Sequence, residues 1–346
     1  MRLLVTGGAG FIGSAFVRRR FASSDDAIVV LDKLTYAGNR ANLAPVEADP
    51  RYAARYEFVL GDIADAAVSR QLVAGCDAVV NFAAESHVDR SILDPDAFLR
   101  TDVIGVQVLL EAMRAAAGKG RSVRFVQVST DEVYGSVDEG ISREGDELAP
   151  RSPYAAAKAA GELLVGAYRT TFGLDTVVTR GSNTYGPYQH PEKLVPLFVT
   201  NALDDQPLPL YGDGLQQRDW LHVDDHADAV GFVLDNGRAG EIYNVPAGQE
   251  RTNREVTAAI LGHLGKPWSL VRSVSDRPGH DRRYAMDGSR LAELGWRPRI
   301  PFEEGISATV EWFRDNETWW RPIKGGEWVA YYERQYGERL AGSVEA

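Results

Sequence analysis

The stretch VTGGAGFIGS, Val5 to Ser14, decides how the rest of the chain is read. It joins an apolar run, Leu3 to Thr6, to a helical stretch, Ile12 to Phe21, and carries glycine at positions 7, 8, 10 and 13. Both Gly8-x-Gly10-x-x-Gly13 and Gly7-x-x-Gly10-x-x-Gly13 suit a backbone that turns tightly and approaches a pyrophosphate that side chains would block. The free N–H groups at the start of the helix then face the negative charge. Glycines alone also make plain turns. Here the strand–turn–helix context holds, and Asp32 closes the next apolar run 19 residues after Gly13. An acid there hydrogen-bonds ribose hydroxyls and repels a 2′-phosphate, so the pattern predicts NAD rather than NADP.

Outward from this loop, strand-like runs recur at Ile28 to Leu31, Phe58 to Leu60, Ala78 to Phe82, Val123 to Val128 and Thr176 to Thr179. Helical stretches alternate with them, among them Val103 to Ala117 and Tyr154 to Phe172. Such alternation predicts an α/β fold, a Rossmann-type doubly wound parallel sheet covered on both faces. GDI (Gly61 to Ile63) and NFAAES (Asn81 to Ser86) end the third and fourth runs and would border the cofactor crevice. After about Gly181 the regularity loosens, with prolines at 187, 191, 196, 207 and 209. Residues 1–181 therefore read as the dinucleotide-binding domain. Residues 182–346 read mainly as a smaller α/β substrate-binding lobe, with some segments returning to the sheet.

The 346 residues are enough to bury a large core, and 44% apolar with 25% charged residues is ordinary for a globular chain. The net charge of −11 argues against nucleic acid as a partner, which needs a basic face. Cys76 is the single cysteine, which excludes an intramolecular disulfide and fits a reducing compartment. No apolar run is long enough to span a bilayer, and glycines interrupt the N-terminal one, so a cytoplasmic location is expected.

Two further motifs carry chemistry. STDEVYG (Ser129 to Gly135) places Asp131 and Glu132 side by side after a buried run. Successive strand residues face opposite ways, so the two acids can converge only if the backbone turns out of the strand there. SPYAAAK starts a helix with Ser152 as N-cap and Pro153 in its first turn, which sets Tyr154 and Lys158 on one face. A lysine ammonium and a nicotinamide cation would both favour the phenolate, making Tyr154 a usable base. His222 and His226 in HVDDH are four apart, but no glutamate follows the first, and one or both read as structural with no metal expected.

Together these motifs resemble the extended short-chain dehydrogenase/reductase superfamily and, within it, the dTDP-glucose 4,6-dehydratase family. The likeness runs nearly end to end, through DKLTYAGN (Asp32 to Asn39), AAESHVDRS (Ala83 to Ser91), STDEVYG, SPYAAAK, NTYGPYQHPEKLVP (Asn183 to Pro196), LPLYGDGLQQRDWLHVDDHA (Leu208 to Ala227) and DRPGHDRRYAMD (Asp276 to Asp287). It implies a lyase that oxidises carbon 4 of dTDP-glucose with bound NAD, eliminates water across carbons 5 and 6, and returns hydride to carbon 6. Tyr154, assisted by Lys158, would be the base for the 4-hydroxyl, Thr130 would orient that hydroxyl, Asp131 would protonate the leaving hydroxyl and Glu132 would deprotonate carbon 5. Two carboxylates so close should hold one proton between them, the asymmetry those roles need.

For the cofactor the resemblance implies Gly7, Gly10, Phe11, Ile12, Gly13, Asp32, Lys33, Leu34, Thr35, Gly38, Asp62, Ile63, Phe82, Ala83, Ala84, Ser86, Thr101, Val128, Tyr154, Lys158 and Thr184. For the substrate it implies Ser86, His87, Thr130, Asn183, Glu192, Lys193, Leu194, Pro209, Tyr211, Arg218, Asn253, Arg277 and His280, with Lys193, Arg218 and Arg277 meeting the diphosphate. Two departures stand out. The family usually pairs two asparagines where this chain has Asn183-Thr184, so Thr184 is expected to reach the cofactor through a water. YNVPAGQ (Tyr243 to Gln249) replaces a more glycine-rich stretch. Another sugar-nucleotide dehydratase or a 4-epimerase is the nearest alternative, and the Asp131-Glu132 pair counts against the epimerase. A non-enzymatic NAD sensor would have no use for Thr130, Asp131, Glu132, Tyr154 and Lys158 together. The resemblance also implies a homodimer through the helices at 103–117 and 154–172.

Overall fold

The computed structural model describes residues 1–345. The first strands are β1 (Arg2–Thr6), β2 (Ala27–Asp32), β3 (Tyr56–Leu60), β4 (Ala78–Asn81), β5 (Arg124–Thr130) and β6 (Thr176–Gly181). Then follow β7 (Asn183–Tyr185), β8 (Leu208–Tyr211), β9 (Gln217–His222), β10 (Ile242–Val245), β11 (Glu250–Thr252), β12 (Val271–Val274) and β13 (Val344–Glu345). One sheet of seven strands runs β10-β6-β5-β4-β1-β2-β3, with every neighbouring pair parallel. Strand order reverses between β1 and β4. The crevice beyond the carboxyl ends at such a reversal is where doubly wound sheets bind ligands.

Alternation along each strand builds the two covering layers. Leu3, Val5, Val30 and Val80 pack on one face with Phe16 and Val17 of the helix Phe11–Ser23 and with Val230 and Val233 of the helix Val223–Asn236. Leu4, Val29, Leu31 and Val79 pack on the other with Leu109, Leu110 and Met113 of the helix Val106–Ala117. Both faces are dry, which is why the strands read as unbroken apolar runs.

Two of the boundaries that differ from the sequence reading matter for the site. β5 continues to Thr130, past Val128, and only then does the chain leave the strand in a 3₁₀ turn, Asp131–Tyr134. The helix expected from Val103 begins instead as a π-helical turn, Leu99–Gly105, that leads into Val106–Ala117. The helix Pro153–Phe172 starts as its sequence predicts, with Ser152 Oγ accepting from Ala155 N at 3.1 Å.

After β6 the chain builds a second apolar core from Tyr185, Phe198, Trp220, Ile260, Phe302, Phe313 and Trp320. β11, β9 and β7 form one small sheet and β13, β12 and β8 another. β10 returns to the main sheet beside β6.

Candidate active site

The glycine loop is closed to side chains by its own backbone. Gly7 has φ of +67°, and a Cβ there would lie 2.5 Å from Ala83 N. A Cβ on Gly13 would lie 2.3 Å from Gly7 O, where the helix Phe11–Ser23 touches the loop. Asp32 does more than end β2: its Oδ2 accepts from Ala9 N at 2.9 Å and its Oδ1 from Leu34 N at 2.8 Å. It therefore ties the glycine loop to the turn after β2 while still facing the crevice.

A single cleft runs from this loop to the acidic turn. It is lined by Gly7, Gly10, Phe11, Ile12, Gly13, Asp32, Lys33, Thr35, Gly38, Asp62, Ile63, Phe82, Ala83, Ala84, Ser86, Thr101, Val128, Tyr154, Lys158 and Thr184. Thr130, Asp131, Glu132, Asn183, Glu192, Lys193 and Leu194 line it too. Leu34 does not; it packs against the apolar core and offers the cleft no side chain. A cradle with no room for a Cβ at Gly7 or Gly13, opening at a helix start and walled by a strand-end carboxylate, fits a dinucleotide.

At the far end the 3₁₀ turn brings both acids to one volume. Thr130 Oγ1 stands 3.1 Å from Asp131 Oδ1 and accepts from Glu132 N at 3.3 Å. Asp131 is 3% exposed and its Oδ2 has no partner. Burial, with the neighbouring Glu132 adding to it, pushes the Asp131 carboxyl up to about 8. Burial also raises Glu132, but Arg277, Lys193 and Arg218 stand close enough to pull against it. The pair is thus unequal. Both carboxyls are raised; Asp131 keeps its proton at neutral pH, and Glu132 is the member with the more cations, Arg277, Lys193 and Arg218, opposing the rise.

Lys158 Nζ donates to Val128 O at 2.7 Å, anchoring the helix Pro153–Phe172 to β5. Burial lowers the Lys158 ammonium while Asp102 and Glu162 oppose it. The expected easing of Tyr154 by its lysine does not carry the balance here. Burial, joined by Glu132 and Asp102, drives the phenol well above its ordinary value, and in the protein alone it holds its proton.

The substrate-side residues divide into two groups. Lys193 Nζ reaches Ser86 O at 2.5 Å, and Glu192 accepts from Arg90 Nε at 2.9 Å, within the cleft wall. His87, Pro209, Tyr211, Arg218, Asn253, Arg277 and His280 lie outside that lining. His87 is buried, with Nε2 3.4 Å from Glu192 O. Arg277 Nη1 donates to Asp89 Oδ1 at 3.1 Å, and Tyr211 Oη donates to Asp89 Oδ2 at 2.9 Å. Arg218 donates to Asp281 O at 2.9 Å and lies 4.2 Å over the Tyr284 ring. His280 is 2.6 Å from Asp276 and meets Tyr211 edge-on. Pro209 sits in β8 opposite Arg272, and buried Asn253 begins the helix Asn253–Leu264.

Thr184 Oγ1 lies 2.7 Å from His226 Nδ1 and 3.1 Å from Ser182 O. His222 Nδ1 accepts from Asp224 N at 3.2 Å and caps a helix, whereas His226 lines the cleft. Among the described residues no His, Cys, Asp or Glu cluster suits a metal ion.

Sequence reasoning missed Asp89 and Gln335, whose Nε2 donates to Asp89 Oδ2 at 2.9 Å, and missed Gln189, Trp220 and His226 in the cleft wall. Asp89, Gln189, Trp220 and His226 lie within the motifs quoted above and Gln335 outside them; the cleft and the network they join are assembled from remote segments, which no local pattern shows.

A family model for GDP-mannose 4,6 dehydratase matches residues 4–309. The dTDP-glucose 4,6-dehydratase of Streptomyces niveus is 55% identical over 330 residues, covering 94% of this chain and 96% of that one. The crystal structure of DesIV, a dTDP-glucose 4,6-dehydratase from Streptomyces venezuelae with NAD and TYD bound, is 55% identical, covers 94% of this chain and 100% of its own, and superposes with a TM-score of 0.89. A UDP-glucose 4-epimerase from Thermus thermophilus, in complex with NAD, is 35% identical at a TM-score of 0.82, with 91% of this chain and 100% of that one covered. With the glycine cradle and the unequal acid pair in one cleft, and relatives of this identity along nearly the whole length, the chain belongs to the dTDP-glucose 4,6-dehydratase family.

Proposed function

We propose that the cleft carries out the 4,6-dehydration of dTDP-glucose with its catalytic work divided among Tyr154, Asp131 and Glu132. The protein is an NAD-dependent hydro-lyase, and the observation that supports this division is the unequal setting of the two acids. The chemistry that NAD would supply when bound is a hydride acceptor for carbon 4 and, in reduced form, a hydride donor for carbon 6. Tyr154, as the phenolate that the Lys158 ammonium and a bound nicotinamide cation would favour, accepts the proton of the 4-hydroxyl, which leaves a ketone and makes the hydrogen on carbon 5 acidic. Glu132, the carboxylate near Arg277, Lys193 and Arg218, removes that proton. Asp131, which holds its own proton, gives it to the 6-hydroxyl, so the group departs as water and a carbon 5–carbon 6 double bond forms. Glu132 returns its proton to carbon 5 as carbon 6 is reduced. Exchange with solvent then resets Tyr154 and Asp131 for the next turnover. Thr130, beside both acids, orients the 4-hydroxyl.

Residues 1–181, with β10 beside them, form the NAD-holding domain in this reading, and 182–346 mainly the sugar-nucleotide lobe. Gly7, Gly10, Gly13, Asp32 and Ile63 would hold the cofactor, and Thr130 and Asn183 would border the sugar ring. Lys193, Arg218 and Arg277 supply the local positive charge that a diphosphate needs on a chain of net −11. Leu99 and Ile104, each 52% exposed, and Leu163, 66% exposed, leave an apolar strip on the helices at 99–117 and 153–172, which supports a homodimer through that face. The single buried Cys76 supports a cytoplasmic location. No helix among the described residues is long and apolar enough to cross a membrane.

Purified protein mixed separately with dTDP-glucose, UDP-glucose and GDP-mannose tests the reading. A 4-keto-6-deoxy product from the first alone, without added cofactor, is expected. A 4-epimer in its place would overturn it.

A further inference from the structure

Asp102 is a buried carboxyl with no task in the reaction as described. It is 2% exposed, and neither oxygen has a partner at hydrogen-bonding geometry, although the Glu85 backbone lies near. Leaving such a group unpaired is costly, so it calls for an explanation. Asp102 sits in the π-helical turn Leu99–Gly105, a geometry frequent at functional sites. Its neighbour Thr101 lines the cleft and accepts from Lys33 Nζ at 2.9 Å.

The turn lies against the helix that carries Tyr154 and Lys158. A Cβ on Gly161 would stand 2.6 Å from Asp102 O, so the two backbones touch there, within one turn of Lys158. Phe98, at the start of the same segment, meets the Tyr154 ring edge-on at 6.2 Å. From the helix, Lys158 and Tyr154 face Asp102. From the loops after β4 and β2 come Glu85 and Lys33, which pair with each other at 3.3 Å. Glu162, the other acid near Lys158, is held by Arg180 through two bonds of 2.6 and 2.9 Å. Asp102 is therefore the unpaired negative charge available to Lys158.

We propose that Asp102 is a positioning residue for Tyr154 that acts through Lys158: carrying its proton, it leaves the ammonium charge free to favour the phenolate, and without its proton it cancels that charge. This rests on the assignment of Tyr154 as proton acceptor. Burial pushes the Asp102 carboxyl up to about 8, with Lys158 pulling the other way. Below that pH the Asp102–Lys158 pair is cationic, and above it the pair is neutral. Asp102 thus sets the alkaline limit of the oxidation step.

The test compares wild type with Asp102→Asn, both as NAD-loaded enzyme, by stopped-flow absorbance of reduced nicotinamide after mixing with dTDP-glucose. The variant cannot ionise, so the ratio of variant to wild-type oxidation rate should be near one at about pH 6.5 and reach roughly tenfold at about pH 9, one unit of assistance retained. Urea unfolding gives a readout apart from activity. The folded carboxyl is raised above its unfolded value, so wild type should lose stability relative to Asp102→Asn as pH climbs from about 4 to about 8, with no further loss above. Asp102→Ser serves identically if the amide prevents folding. Parallel pH profiles in both measurements would reduce Asp102 to packing and overturn the inference. A wild type that forms product with no dependence on Tyr154 would instead overturn the Tyr154 reading, while the unfolding curves still report whether Asp102 titrates.

Discussion

At the cofactor end of the cleft, Gly7, Gly10, Gly13 and Asp32 lie within the first 32 residues, and the loop acts through its backbone: it has no room for a Cβ at Gly7 or Gly13, and the Asp32 carboxylate pins it to Ala9 N and Leu34 N. At the proposed sugar-nucleotide end, beyond the cleft lining, Asp89 gathers Arg277, Tyr211 and Gln335, the last 246 residues away in sequence, and acts through side chains. A backbone-built site fails all at once when one atom is added. A side-chain network loses its members in portions, each by the worth of its bonds.

The largest effect should come from Gly13→Ala, which places a Cβ 2.3 Å from Gly7 O. NAD should be absent from the purified variant by absorbance and mass spectrometry, and activity should be lost; a variant that retains cofactor would break the contrast. Next, Glu132→Gln and Asp131→Asn should each slow product formation by about 10²–10⁴-fold, the usual worth of a positioned acid or base. NAD and dTDP binding, followed by fluorescence and calorimetry, should stay near wild type in both. Third, Arg277→Met should weaken dTDP by roughly 1.5–3 kcal/mol, the range for a charge-assisted bond, while NAD content is unchanged. Equal loss of both ligands would mean that the two ends are not separable.

A smaller effect concerns pH. Asp131 must hold a proton to protonate the leaving hydroxyl, and its carboxyl lies at about 8. The elimination step, isolated as decay of the reduced-nicotinamide signal, should therefore fall by up to about tenfold per unit as pH rises beyond that value. Asp131→Asn should abolish this limb. The smallest effect on catalysis should follow Leu163→Glu, on the exposed strip of the helix Pro153–Phe172. Light scattering should report a shift from dimer to monomer with NAD content retained.

How much was legible follows the same contrast. The six early strands, the glycine loop and the capped helix bearing Tyr154 and Lys158 each depend on neighbours a few residues away, and each stands where its pattern put it, the strand ends to within two residues. The strand that carries the acids was two residues longer than its apolar run, because Ser129 and Thr130 keep the pleat by pairing with Arg180 and Gly181 of β6. The resemblance named Tyr211, Arg277 and His280, but not that Asp89 and Gln335 hold the first two. Nor did the motif that contains His226 show that it meets Thr184 across 42 residues.

Short-range physics, namely turn sterics, strand alternation and helix capping, is written into consecutive residues, and the chain alone therefore specified the doubly wound sheet, its dinucleotide loop and the presence of two adjacent acids. Whether those acids are equivalent was not in their order along the chain. It was decided by how deeply each is buried and by which cations, Lys193, Arg218 and Arg277, folding brings near Glu132. Desolvation and charge act through space, and only the assembled tertiary structure says what is near.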